Sequence, residues 1–228
     1  MQDIIAAHRR ELADALSTLT AAQWRAPSLC TGWTAAHVLA HQTMPFRISE
    51  KDFLAGMQRC GGDFTTFSDE IADRDSHLPP AELVAALRDN ADTPWSPPGG
   101  GLAGALCHDV IHGLDIGWPL ALAYEIQAAA MITVLNTLTS PLALDQDDVV
   151  AAEVQAAAAD ADTRRATVFG FPLDGIRVLA TDLPWSAGSG ADLSAASRDL
   201  LPLLAGRQIP HDRFRGAGAA RAWSLADR

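Results

Sequence analysis

The histidines of this chain are grouped in a way that suits metal binding. His108 and His112 are four residues apart in the segment GLAGALCHDVIHGLDIGW, so on a helix both imidazoles project from one face, about one turn apart. Imidazole is a common ligand for transition metals, and two at this spacing can grip one ion. A third protein ligand is normally needed, and His41 in WTAAHVLAHQ can supply it. We therefore predict a divalent metal site at these three histidines, with one coordination position left open.

The residues alone leave other assignments open. His37 precedes His41 by four residues on the same predicted helix and competes with it as the third ligand. A zinc protease requires Glu directly after the first histidine of its H-x-x-x-H motif, whereas this chain has Asp109 there. Cys107 directly precedes His108, but adjacent residues on a helix point about 100° apart. The metal interpretation is therefore favoured over a protease or a catalytic cysteine.

Two aspartates lie close to the predicted ligands. Asp115 follows His112 by three residues and shares nearly the same helix face, and Asp109 adjoins His108. A carboxylate behind a ligand histidine can orient the imidazole, so either aspartate is a candidate for that role. Facing water or capping a kink is the alternative for both.

The site needs helices to position it, and the chain predicts several. Apolar residues at helical spacing predict an amphipathic helix from Ile4 to Leu19. Thr34 is placed to cap a second helix that carries His41, and Pro45 is expected to kink or end it. Further helices are predicted from Pro80, from Leu102 and through YEIQAAAMITVLNTL.

The remaining segments predict that the chain changes from helices alone to a mixture of strand and helix. The Gly, Thr, Ser and Asp content of Gly61 to Pro80 predicts a long irregular connection, and an acidic helix is predicted from Asp147 to Asp160. Beyond Thr163, the segment GIRVLATD from Gly175 to Asp182 predicts a strand. A helix from Leu193 to Ala205 and a short terminal helix after a glycine-rich turn should follow.

Composition excludes several classes of protein. The 228 residues carry a net charge of −11, which disfavours binding to nucleic acid and to anionic membranes. No uncharged run reaches the roughly 20 residues of a membrane-spanning helix, and the N-terminal residues lack a signal-peptide layout, so a cytoplasmic location is expected. The three cysteines, Cys30, Cys60 and Cys107, lack C-x-x-C spacing, which argues against a disulfide framework or a cysteine-ligated zinc site.

Several segments together carry a family resemblance. CTGWTAAHVLAH, HDVIHGLDI, ATDLPWSAGSG and LLPLLAGR occur in this order, and the chain resembles the mycothiol-dependent maleylpyruvate isomerase family, which is related to DinB-like bacterial thiol transferases. The resemblance implies an α+β fold. It implies a DinB-like four-helix metal-binding bundle over residues 1–160 and a small C-terminal α/β domain over residues 161–228.

The resemblance also implies a ligand set and a chemistry. The histidine that closes the family's W-T-x-x-x-x-x-x-H segment falls on His41, and the family's E-x-x-x-H pair falls on His108 and His112. Histidine in place of glutamate is a departure that removes one negative charge from the site and makes a bound ion a stronger Lewis acid. The implied cofactor is a divalent metal, zinc foremost, with mycothiol as the thiol cosubstrate held as thiolate for S-transfer to an electrophile or for cis-trans isomerisation of a maleylpyruvate-like substrate.

The substrate and the class of function stay open at this point. A substrate carboxylate would be matched by an arginine, for which Arg47, Arg221 and Arg25 are candidates. A non-catalytic ligand-binding relative with a structural metal, or a metal-dependent hydrolase, would use the same three histidines. The sequence does not indicate an oligomeric state.

Overall fold

The computed structural model describes residues 1–139 and 167–226. The predicted acidic helix at 147–160 and the predicted domain boundary between residues 160 and 161 lie outside these residues. The chain divides into two compact units, one formed by Gln2–Trp95 with His112–Glu125 and the other by Met1, Ser96–Ile111 and Ile126–Arg228. We call them the helical unit and the mixed unit. The division falls inside one uninterrupted helix, so that helix belongs to both.

The helical unit is built from consecutive helices. These are α1 (Gln2–Leu16), α2 (Ala21–Trp24), α3 (Ala35–Arg47), α4 (Glu50–Arg59), α5 (Phe64–Asp75), α6 (Pro80–Asp89) and the last turns of α7 (Gly101–Gly117). The predicted helices at Ile4, Thr34, Pro80 and Leu102 are thus present. Pro45 lies inside α3, which continues to Arg47 before it ends.

Four of these helices form a bundle around an aliphatic core. Helix α6 packs against both α1 and α3, and α7 approaches α1 closely at Gly113, where a Cβ would lie 3.1 Å from Cδ2 of Leu12. Side chains from all four helices share one buried cluster that includes Leu12, Leu16, Leu39, Leu83, Leu87 and Ile116. Each such leucine or isoleucine contributes about 1.5–3 kcal/mol by leaving water. The bundle therefore fixes α3 and the end of α7 beside each other.

The irregular connection predicted from Gly61 to Pro80 is wrong, because helix α5 occupies most of it. Asp63 caps the helix by accepting hydrogen bonds from the backbone N–H groups of Thr65 and Thr66. Phe67 and Ile71, four residues apart, are buried on one face, while the polar residues that suggested a loop lie mostly on the opposite face. A single apolar stripe among polar residues was enough to form a helix once α3 was available to cover it.

The mixed unit combines a small sheet with helices. Its strands are β1 (Ile176–Ala180), β2 (Ser186–Gly188) and β3 (Ala191–Ala195), in the order β2-β1-β3, with β1 antiparallel to β2 and parallel to β3. Its helices besides α7 are α8 (Ala128–Thr139), α9 (Ser197–Leu204) and α10 (Ala217–Ala226), with a short 3-10 helix at His211–Arg213. The predicted α+β class is confirmed.

In the mixed unit, the sequence predicted the bounds of one strand correctly and began one helix too early. The predicted strand from Gly175 to Asp182 matches β1. The helix predicted from Leu193 begins only at Ser197, because residues 191–195 pair with β1 as a strand. Helix α8 is tied to the segment before β2 by a 2.8 Å hydrogen bond from Trp185 Nε1 to Asn136 Oδ1.

Among the helices within residues 1–139 and 167–226, none is both long enough and apolar enough to cross a bilayer.

Candidate metal centre

Helix α3 carries His41 into the interior of the helical unit. The residue is 7% exposed, and its Nδ1 lies 2.8 Å from the hydroxyl of Ser68 on α5. The rings of Trp33 and Phe64 lie 5.3 and 6.5 Å from the imidazole, measured between centroids. His41 is therefore held by a hydrogen bond and flanked by aromatic rings.

Helix α7 brings His112 against His41. Their ring centroids are 4.7 Å apart, in an edge-to-face arrangement. Nδ1 of His112 lies 2.9 Å from Oδ2 of Asp115, whose side chain is fully buried. Because a carboxylate can only accept, His112 donates its Nδ1–H and keeps the lone pair of Nε2 for a ligand. Asp115 thus lies behind His112 in the position that the sequence predicted.

His108 lies one turn earlier on the same uninterrupted helix. Its Nδ1 is 3.2 Å from Oδ1 of Asp109, which is 1% exposed. One ring nitrogen each of His41, His108 and His112 lies within 4.8 Å of the other two. The structure therefore brings together the three histidines that the sequence predicted as ligands.

The chemistry of this donor set fits a divalent transition metal. All three imidazoles have Nδ1 in a hydrogen bond, to Ser68, Asp109 and Asp115 respectively. Such a partner fixes both the tautomer and the ring orientation of a metal-binding histidine. Three imidazole nitrogens close together are a donor set that zinc accepts. Three imidazoles leave one tetrahedral position for an exogenous ligand.

His37, the competing third ligand, is engaged elsewhere. Its Nδ1 accepts a 2.7 Å hydrogen bond from the hydroxyl of Thr34, the residue that precedes α3, and its Nε2 lies 3.7 Å from a carboxylate oxygen of Asp73. His37 therefore helps to start helix α3, and it is not among the clustered histidines.

Two of the three arginines predicted to bind a substrate carboxylate already bond within the chain. Arg47 is ion-paired with Asp75 and donates to the carbonyl of Ala40 at 2.6 Å. Arg221, in the mixed unit, donates to the backbone and side chain of Asp174 at 2.6 and 2.9 Å. Arg25 is exposed. A role of these arginines in substrate binding stays a prediction.

Two side chains near the site were missed by reasoning from the sequence. Ser68 lies in the segment predicted as irregular, so no periodicity pointed to it. Cys30 received no role from the sequence, whereas its Sγ is 3.1 Å from Oδ2 of Asp115. Cys30, His112 and Asp115 form a second group of potential ligand atoms within 4.8 Å of one another. The signal for Cys30 was its place in the CTGWT segment, seven residues before His37.

Cys107 is unsuited to nucleophilic chemistry. Burial raises the pKa of its thiol to about 11, and a hydrogen bond with Thr137 opposes that shift only in part. The thiolate is the reactive form of cysteine. A thiol with this pKa is almost wholly protonated at neutral pH, which disfavours the catalytic-cysteine alternative.

The site is a cluster of three oriented histidines carried by two helices, His41 by α3 and His108 and His112 by α7. The family model described as Mycothiol maleylpyruvate isomerase N-terminal domain matches residues 5–93, in agreement with the predicted family over this part of the chain. The matched range contains His41 and Ser68 and ends before α7. None of the curated proteins matches the chain.

Two solved structures resemble the chain. One is a mycothiol-dependent maleylpyruvate isomerase, and the other is a mutant of such an enzyme with one histidine replaced by alanine. Both comparisons have 16% sequence identity, a TM-score of 0.49, and coverage of 95% of this chain and 91% of the other.

Proposed function

We propose that this chain is a metal-dependent, mycothiol-using enzyme. It activates the thiol as thiolate, either for S-transfer to an electrophile or for cis-trans isomerisation of a maleylpyruvate-like substrate. The main support is the cluster of His41, His108 and His112. One ring nitrogen of each lies within 4.8 Å of the others, and all three Nδ1 atoms are hydrogen-bonded. The family match over residues 5–93 supports mycothiol as the thiol.

The side chains around the cluster prepare it for this chemistry. Ser68, Asp109 and Asp115 hold the three rings, so little ordering is left to be done when a ligand binds. When bound, a zinc ion supplies a Lewis acid that favours the thiolate form of a coordinated thiol at neutral pH. The rings of Trp33 and Phe64 beside His41 replace water on one side, and charge interactions are stronger in such surroundings.

Metal binding is the first test of this proposal. Purified protein should bind about one zinc ion per chain, and His41→Ala or His112→Ala should abolish binding because two imidazoles rarely suffice for a tight site. His37→Ala is the matched control, since His37 is a neighbouring histidine that bonds Thr34. Metal content after dialysis, measured by mass spectrometry, decides the matter. Full occupancy in both ligand mutants would disprove the metal centre.

Turnover is the second test, and it separates the alternatives. With mycothiol and a panel of electrophiles that includes maleylpyruvate, a transferase consumes free thiol. An isomerase forms product only when thiol is present but leaves the thiol concentration constant. A hydrolase would convert substrate without added thiol, and a binding module would convert nothing. Either of the last two results would contradict the proposed function.

A further inference from the structure

We infer that Cys30 is a positioning residue for the metal centre, acting on His112 through Asp115. This inference rests on the proposed function, since it concerns how tightly the same three histidines hold an ion. Cys30 lies 85 positions before Asp115 in the chain, and only the packing of its loop against α7 brings the two side chains together.

The geometry joins three side chains in a row. The thiol of Cys30 donates to Oδ2 of Asp115 at 3.1 Å, and the same oxygen accepts from Nδ1 of His112 at 2.9 Å. Asp115 is fully buried. A carboxylate oxygen held from two directions has less freedom to rotate, so the orientation of the His112 ring depends on the thiol as well as on the carboxylate.

The loop that carries Cys30 is itself held in place. The hydroxyl of Ser28 accepts from the backbone N–H of Cys30 at 3.1 Å and donates to the carbonyl of Trp33 at 2.9 Å. The backbone N–H of Leu29 donates to the carbonyl of Asp115 at 3.0 Å. The loop therefore contacts Asp115 twice, once through its backbone and once through the Cys30 side chain, and it contacts His41 through the ring of Trp33.

The weak S–H donor is well suited to this place. The thiol that donates its proton to Asp115 is not at the same time a metal ligand, because the thiolate is the ligating form. Donation of the proton to Asp115 therefore leaves His112 as the ligand and Cys30 as its support. Loss of the thiol would free one side of the carboxylate and loosen the ring of His112 without removing any ligand.

The test compares Cys30→Ala and Cys30→Ser with the wild-type chain. Removal of a direct partner of a ligand histidine typically weakens metal binding about 10- to 100-fold, so Asp115→Asn serves as the reference. Because Cys30 reaches His112 only through Asp115, Cys30→Ala should weaken zinc binding by a smaller factor than Asp115→Asn. Cys30→Ser keeps a donor and should recover most of the affinity. Cys60→Ala, at a half-buried cysteine outside the cluster, should bind zinc like the wild type. Affinity is measured by competition with a chromophoric chelator.

Two spectroscopic measurements show whether the effect passes through His112. In the cobalt-substituted protein, Cys30→Ala should shift the visible absorption bands. In the metal-free protein, it should move the imidazole Nδ1–H resonance of His112, which a merely destabilised fold would not do selectively. Affinity and spectra unchanged in Cys30→Ala would overturn the inference while leaving the proposed function intact. Failure of serine to restore them would also overturn it, and a wild-type chain that binds no metal would overturn both.

Discussion

Each histidine of the cluster has a different neighbour behind it, and this bears on the charge of the site. By the family resemblance, His108 stands where the family motif has glutamate, so the proposed ligand set carries one negative charge fewer. Two buried carboxylates, Asp109 and Asp115, stand behind His108 and His112. A carboxylate behind an imidazole raises the basicity of that ligand. The two aspartates therefore supply part of the negative charge that the ligands lack, through their hydrogen bonds to His108 and His112.

Ser68 is the uncharged residue among the three that hydrogen-bond the clustered histidines, and its contribution can be tested separately. Ser68→Ala removes the hydrogen-bond partner of His41 Nδ1, so we expect zinc affinity to fall by about 10-fold, the lower end for such partners. Zinc titration against a competing chelator measures the change. Ser76→Ala is the control, because the Ser76 hydroxyl donates to the backbone carbonyl of Asp73 and not to a histidine of the cluster. Equal affinities in the two variants would contradict the role of Ser68.

Between elements, the contact of α3 with α5 has the largest consequence for the site, because α3 carries His41 and α5 carries Ser68. The two helices are joined by the buried carboxylate of Asp75, which is ion-paired with Arg47 of α3 and with Arg74. Burial raises the pKa of Asp75, but hydrogen bonds from the two arginines and their charges outweigh it, and the pKa is lowered overall. The ion pair therefore stabilises the fold that aligns the two side chains.

The lowered pKa of Asp75 predicts a pH-dependent stability. Because the folded-state pKa lies below the unfolded value of about 3.9, the stabilisation is present above pH 4 and is lost as the pH falls through the folded-state pKa. Asp75→Asn should lower the free energy of unfolding by about 2 kcal/mol at pH 7, from lost charge-assisted hydrogen bonds. The gap to wild type should shrink below pH 4.

Urea unfolding of both proteins between pH 3 and pH 7 checks this prediction. Asp69→Asn, an exposed carboxylate on the same helix, is the control and should show little change at either pH. A gap between wild type and Asp75→Asn that stays constant with pH would refute the electrostatic explanation.

For the molecule as a whole, a metal ion that joins α3 and α7 would stabilise the folded chain. Binding only to the folded state at a free ion concentration 100 times Kd adds about 2.7 kcal/mol. For a chain of this size that raises Tm by roughly 5–10 °C. Thermal unfolding with zinc and with a chelator should show this difference for the wild type and for His37→Ala. His41→Ala should show none, and an equal shift in His41→Ala would place the ion elsewhere.

Local patterns were sufficient for much of this molecule. The four-residue spacing of His108 and His112 placed both rings on one helix face. Periodic apolar residues predicted α1, and the positions of Thr34 and Pro80 predicted the starts of α3 and α6, because these signals act between near neighbours in the chain. The same reasoning placed Asp115 behind His112. It failed for α5, whose narrow apolar stripe became a helix only when other helices covered it.

Contacts between distant parts of the chain were decided by tertiary packing alone. Ser68 and His41 are 27 positions apart, and Cys30 and Asp115 are 85 apart, so no spacing rule relates them. The same holds for Arg47, whose charge is matched by Asp75 on another helix. The choice of His41 over His37 followed from family motifs at first, and the structure supplies its physical reason. His37 lies at the start of α3 and bonds Thr34, whereas His41, one turn further, faces α7 and its histidines.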